Sequence, residues 1–229
     1  MALALCVAAV AGAAAAADFY LDPDLGDLKP EDRVVIAHPQ PVQLLFQFET
    51  KGAPNARATK AVKDKVVETV KASGLFSDVS DQPQADGAIL SITIDDAVNA
   101  DDMKSAERQG FMTGLTFGMA ASTAVDHYNC VIDFVAGPAA PKLTRTSHHD
   151  LTFQMGLSKT PPTGLVKMAN ATDAVNTMVR QVIATPLNDL AKDPGFASAD
   201  APAAASPATP PTPAVDPATP PPNAAPAQS

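Results

Sequence analysis

Three consecutive residues carry the side chains best suited to chemistry: His148, His149 and Asp150. Imidazole beside carboxylate is the usual donor set for a transition-metal ion, and also the pairing that makes a general base. Along an extended strand, successive side chains point to opposite faces. His148 and Asp150 therefore share a face and His149 lies opposite, so the trio cannot easily converge. His127 could approach His148 only across a hairpin in a suitable register. We assign neither metal nor cofactor from the sequence and read the segment as an exposed polar strand. His127, His148 and Asp150 are the residues to follow if that register is realised.

Other acidic and nucleophilic side chains point to less. Asp95-Asp96 and Asp101-Asp102 are adjacent pairs, but neighbours on a strand end point apart, and no histidine stands near them in sequence. Asp22, Asp24 and Asp27 are spaced like the start of a calcium loop, without its glycine or closing Glu. Cys130 reads as a small packed hydrophobe. Serine and cysteine nucleophile motifs, a P-loop and a dinucleotide fingerprint are all absent from the sequence. No catalytic residue is assigned, and the protein is expected not to be an enzyme.

The oddest stretch is chemically inert. Residues 110–125 carry no charge, and Gly110, Gly114 and Gly118 recur every four residues. On a helix these glycines share one face, a smooth ridge that allows close approach, with Phe111, Leu115 and Met119 beside it. At helical rise the stretch spans only about 24 Å, short of a bilayer core. Burial as a crossover on the sheet, superficial membrane insertion, and burial against a partner or another copy are the three readings. Gly110, Phe111, Gly114, Leu115, Gly118 and Met119 are the expected association or membrane-contact residues.

The elements that must position these residues follow from periodicity. Residues 42–49 alternate, with Val42, Leu44, Phe46 and Phe48 on one face, and predict a strand. Asn55 is placed to cap an amphipathic helix over 56–73, with Val62, Val66, Val67 and Val70 on its apolar side. Residues 75–79 suggest a short edge strand, and 87–95 a clearer one. Residues 127–135 and 142–155 predict two strands of an antiparallel hairpin, with Tyr128, Cys130, Ile132, Phe134, Leu151, Phe153 and Met155 inward. A second helix is predicted over 164–184, ended or kinked by Pro186. The sequon Asn170-Ala171-Thr172 falls inside that helix and is set aside.

The ends differ from the middle. Residues 1–17 are small and apolar and read as an export signal, cleaved between Ala17 and Asp18, though without a basic start. Residues 18–41 read as a polar leader, 42–193 as a single domain, and 194–229 as a disordered Pro/Ala-rich tail in which Pro-Ala-Thr-Pro-Pro occurs twice. Cys6 would leave with the signal, so the mature chain could form no internal disulfide. The net charge of −9, from 25 acidic and 16 basic residues, argues against nucleic acid as a partner.

Two segments, Ser73-Gly74-Leu75-Phe76-Ser77-Asp78-Val79 and Gly110-Phe111-Met112-Thr113-Gly114-Leu115-Thr116-Phe117-Gly118, carry a resemblance to small α/β proteins exported to the bacterial envelope, often lipoproteins of unassigned function. The resemblance spans roughly residues 40–190. It implies a periplasmic or outer-membrane-associated location. No convincing lipid-acceptor site accompanies it here. Together with the patterning it implies an α+β fold: a four- to five-stranded sheet with two amphipathic helices on one face, plus the glycine-rich apolar insert. The expected function is non-enzymatic association or assembly with an envelope protein or another copy of the chain. Contact with a membrane surface through residues 110–125 is the alternative, and metal or small-ligand binding comes third.

Overall fold

A computed structural model describes residues 17–85, 87–97, 122–155 and 160–199. The fold is α+β, an eight-stranded sheet with three α-helices. In chain order the strands are β1 (Asp18–Leu21), β2 (Gln40–Thr50), β3 (Ala53–Pro54), β4 (Phe76–Ser80), β5 (Ile89–Ala97), β6 (Ser122–Val135), β7 (Leu143–Met155) and β8 (Val166–Met168). The helices are α1 (Ala56–Ala72), α2 (Ala171–Ala191) and α3 (Pro194–Ala199). The sheet runs β3-β2-β5-β6-β7-β1-β8, with β4 also pairing with β2. Among the described residues only the β2–β4 and β2–β5 pairs are parallel.

The long central strands and α1 form where alternation and helical spacing predict them. Asn55 caps α1 by accepting from the Ala58 amide at 3.0 Å. After α1 the chain turns through Gly74 at φ +71°, a conformation that a residue without Cβ adopts freely. The β2–β3 hairpin turns on Lys51 and Gly52, both at positive φ, as a two-residue turn matched to strand twist requires.

Both long helices pack on one face of the sheet, α1 against β2, α2 against β6 and β7, and each against the other. Val42, Leu44, Phe48, Leu90, Ile92, Ile94, Cys130 and Ile132 point toward them. They form one core with Val62, Val66 and Val70 of α1 and Met178, Val182, Ile183 and Leu187 of α2.

Several expectations change. The sheet has more than four or five strands because β1, β3 and β8 are too short to show alternation. The leader is not solvated throughout. Tyr20 and Leu21 are buried in β1, which lies between β7 and β8. Beyond it, Asp27 accepts a two-pronged hydrogen bond from Arg180, so it is engaged by a cation of the chain itself. The buried Asn188 accepts from the Val34 amide and donates to the Asp32 carbonyl, tying this segment to α2.

The second helix starts later and ends later than 164–184. Its first predicted turn is β8, and Asn170 is its N-cap, accepting from the Asp173 amide at 2.9 Å. The sequon thus begins at a helix cap. Pro186 lies within α2, which continues to Ala191. The tail boundary also moves. Residues 194–199 form α3, and Phe196 is buried with its ring centroid 4.8 Å from Phe134 and 5.9 Å from Phe76.

Candidate functional site

The face of the sheet opposite the helices holds the candidate site, and strand register builds it. In the β6–β7 hairpin, His127 pairs with Asp150, Tyr128 with His149 and Asn129 with His148. The alternation of β6 puts Tyr128 and Cys130 into the core, which turns His127, Asn129 and Val131 outward. On β7, His148 and Asp150 face the same way, and His149 faces the helices. The parity read from sequence is realised, and the register supplies the missing piece: it brings His127 to His148.

His127 and His148 converge on one carboxylate oxygen. His127 Nδ1 and His148 Nε2 each lie 2.7 Å from Asp150 Oδ1. Their rings stack with centroids 5.9 Å apart and planes 20° apart. The other nitrogen of His148, Nδ1, lies 3.1 Å from Asn129 Oδ1, so the amide oxygen accepts its N–H. One ligand atom from each of His127, His148 and Asp150 can be chosen so that all three lie within 4.8 Å of one another. The side chains remain 24%, 54% and 32% exposed, so water or a ligand can reach them.

The surroundings are polar and acidic. Glu49 pairs with Asp95, and Asp95 with Asn129, in one row across the sheet that ends at His148. Asp95 also accepts from the Gly52 amide at 3.0 Å. A parallel row places Ser91 beside Asp133 and Thr144. Burial pulls the Asp133 carboxyl up, but hydrogen bonds donated by Thr144 and Lys142, with the Lys142 charge, together outweigh it and hold the group below the usual range. Among these polar groups stand two exposed aliphatics, Leu45 and Val131. Toward β1 the same face closes over, with Tyr20, Thr152 and Gln154 buried.

His149 does not belong to this cluster. It is buried beneath α2, where Nε2 lies 2.8 Å from Gln181 Oε1. The amide oxygen accepts, so the proton sits on Nε2, and Nδ1 has no hydrogen-bond partner among the described residues. The acid pair is split as the sequence implies. Asp95 lies on the outer face, and Asp96 on the inner face opposite Tyr128. Burial, then the charges of Asp126 and Asp95, push the Asp96 carboxyl up, with Lys51 and His127 opposing. Burial also raises Asp126, against the hydroxyl of Tyr128 and the charge of His127. The Tyr128 phenol is itself pushed well above its ordinary range by burial and then by Asp126 and Asp96, and the sequence reading of Asp96 and Tyr128 did not bring them together or single out Asp126. The only available signal was the Asp-x-Tyr spacing of a strand, which is too common to mean anything alone.

A cavity of about 220 Å³ opens between α1, α2 and the segment after β1, lined in part by Arg33, Lys65, Glu68 and Arg180. Lys65 is paired with Glu68 at 2.9 Å and Arg180 with Asp27 at 2.9 Å, so much of its positive charge is already neutralised. Asp101, Asp102 and the six association residues Gly110, Phe111, Gly114, Leu115, Gly118 and Met119 lie outside the described residues. Residues 122–125, the end of the uncharged stretch, belong to β6. Among the described residues no helix is long and apolar enough to cross a membrane.

No protein-family model matches the chain, and neither does any curated protein. Among solved structures it is similar to a variant of the PelC dodecamer from Paraburkholderia phytofirmans. The identity is 11%, over 68% of this chain and 93% of that one, with a TM-score of 0.30. At that degree of likeness nothing about the role of this chain follows.

Proposed function

We propose that this chain is a non-enzymatic cell-envelope protein that acts by associating with another envelope protein through the uncharged stretch 110–121. One observation carries the reading. Strands β5 and β6 are adjacent and antiparallel, paired from Ile89–Val135 to Ala97–His127. Such a pair needs a turn of only about two to five residues. Residues 98–121, outside the described residues, are far longer than that turn requires. A long connection whose second half, 110–121, is uncharged and which strand pairing does not require is a candidate for a role outside the sheet. Export is part of the proposal. Processing between Ala17 and Asp18 would leave β1, which begins at Asp18, complete.

The test compares the mature chain with a version lacking residues 110–121, which spares β6. Both are used to capture partners from crosslinked envelope, with circular dichroism confirming that both fold. The expected result is a specific envelope protein retained by the first and lost by the second. Equal capture by both chains would sink the reading. Flotation of the mature chain with liposomes, in the absence of any protein partner, would favour membrane contact instead.

A further inference from the structure

We propose that His127, His148 and Asp150 form a binding site for a divalent late first-row transition ion of the zinc class. The site is independent of the association reading and lies wholly on described strands.

The donor set comes first. Two imidazole nitrogens and a carboxylate oxygen converge on one spot of the outer sheet face. That combination suits zinc, nickel or copper, whereas calcium and magnesium prefer shells made of oxygen. The liganding atoms are His127 Nδ1, His148 Nε2 and an Asp150 carboxylate oxygen.

The hydrogen bonding of His148 fits the same reading. A neutral imidazole has one N–H, yet His148 faces an acceptor on each side: Asn129 Oδ1 at 3.1 Å from Nδ1 and Asp150 Oδ1 at 2.7 Å from Nε2. With Nδ1–H donated to Asn129, the Nε2 lone pair points at a carboxylate. That lone pair is the one a metal ion would take. Asn129 then does what a supporting residue of a metal site does: it sets the tautomer and aims the free nitrogen. Glu49 and Asp95, in the row that leads to His148, add negative potential that favours a cation.

Binding requires the side chains to rearrange, because the three ligand atoms now lie within 4.8 Å of one another rather than at tetrahedral spacing. Metal–donor distances of about 2.0–2.2 Å place tetrahedral donors roughly 3.3 Å apart, so the present 2.7 Å contacts must widen by several tenths of an ångström. Side-chain rotation at a partly exposed surface can supply that without disturbing the hairpin. Three protein ligands leave a fourth position open to water or to a donor from another molecule.

Zinc binding to the untagged mature chain tests the site, by isothermal titration and by nitrogen-15 NMR of the imidazoles. We expect one zinc per chain. The largest shifts should fall on His127 Nδ1 and His148 Nε2, and the buried His149 should stay unmoved. His148→Ala and Asp150→Asn should each weaken binding at least tenfold, and Asn129→Ala about tenfold. His148 is the most exposed of the three, so its variant should fold, which circular dichroism would verify. His38→Ala should bind as the parent does. No zinc binding, binding unchanged in H148A and D150N, or equal affinity for magnesium would each overturn the proposal.

Discussion

The Ser147 hydroxyl donates to the Val182 carbonyl at 2.5 Å, joining β7 to the middle of α2. Val182 lies four residues before Pro186, which has no N–H to give it. In an ordinary helix that carbonyl would be an orphan in the core. Here a strand residue supplies the missing donor, and α2 runs through its proline to Ala191. Ser147→Ala should therefore destabilise the fold by ~1–3 kcal/mol, the cost of an unpaired buried carbonyl. In a Pro186→Ala background, where residue 186 regains its N–H, the same change should cost markedly less. Urea denaturation of the four proteins in this cycle measures the coupling, and a zero value would refute the link.

Cys130 should be chemically silent in the folded state. Its thiol is buried, and burial pushes it up to about 12, against a smaller opposing effect of Ser147. Thiolate is the reacting form, so the folded mature chain at mildly alkaline pH should resist alkylating reagents, and the chain in denaturant should react quickly. Mass spectrometry of Cys130 reads the difference. Rapid labelling of the native chain would show that β6 opens far more readily than its buried core face implies.

Asp96 should make stability depend on pH. Its carboxyl is raised, first by burial and then by Asp126 and Asp95, and one of its oxygens is buried without a hydrogen-bond partner among the described residues. A raised carboxyl contributes stability that is fully present below the unfolded value, about 3.9, and lost as pH rises through the folded value. Asp96→Asn should thus raise the melting temperature at pH 7, with the gain vanishing as the pH falls below about 4. The group is only partly shielded, so the gain should be about 2 °C. Melting curves across that range would decide it, and a pH-independent difference would count against it.

Phe196 should mark the true end of the folded unit. Its ring packs between Phe76 of β4 and Phe134 of β6. Phe196→Ala should cost ~3 kcal/mol, the loss of a large buried ring. Ending the chain after residue 193 should cost at least as much. Ending it after residue 199 should change stability by less than ~0.5 kcal/mol. Denaturation midpoints of the three variants would establish the boundary.

The sequence by itself determined the long elements and the parity of their faces. Alternation in residues 42–49 and 127–135, helical spacing of valines in α1, and the Asn55 cap are local signals, readable because each repeats over several residues or sits at a fixed offset. The same parity put His148 and Asp150 on one face and His149 on the other. Tertiary structure decided what depends on partners distant in sequence. Strands β1 and β8 are too short to show a period and exist because β7 offers an edge to β1, and β1 in turn to β8. Helix α2 passes Pro186 because Ser147, far away in the chain, satisfies the carbonyl the proline strands. The meeting of His127 with His148 and Asp150 rests on hairpin register, and a slip of one residue would turn the side chains of one strand to the opposite face. Residue types supplied the donors, but only the pairing of β6 with β7 made them neighbours.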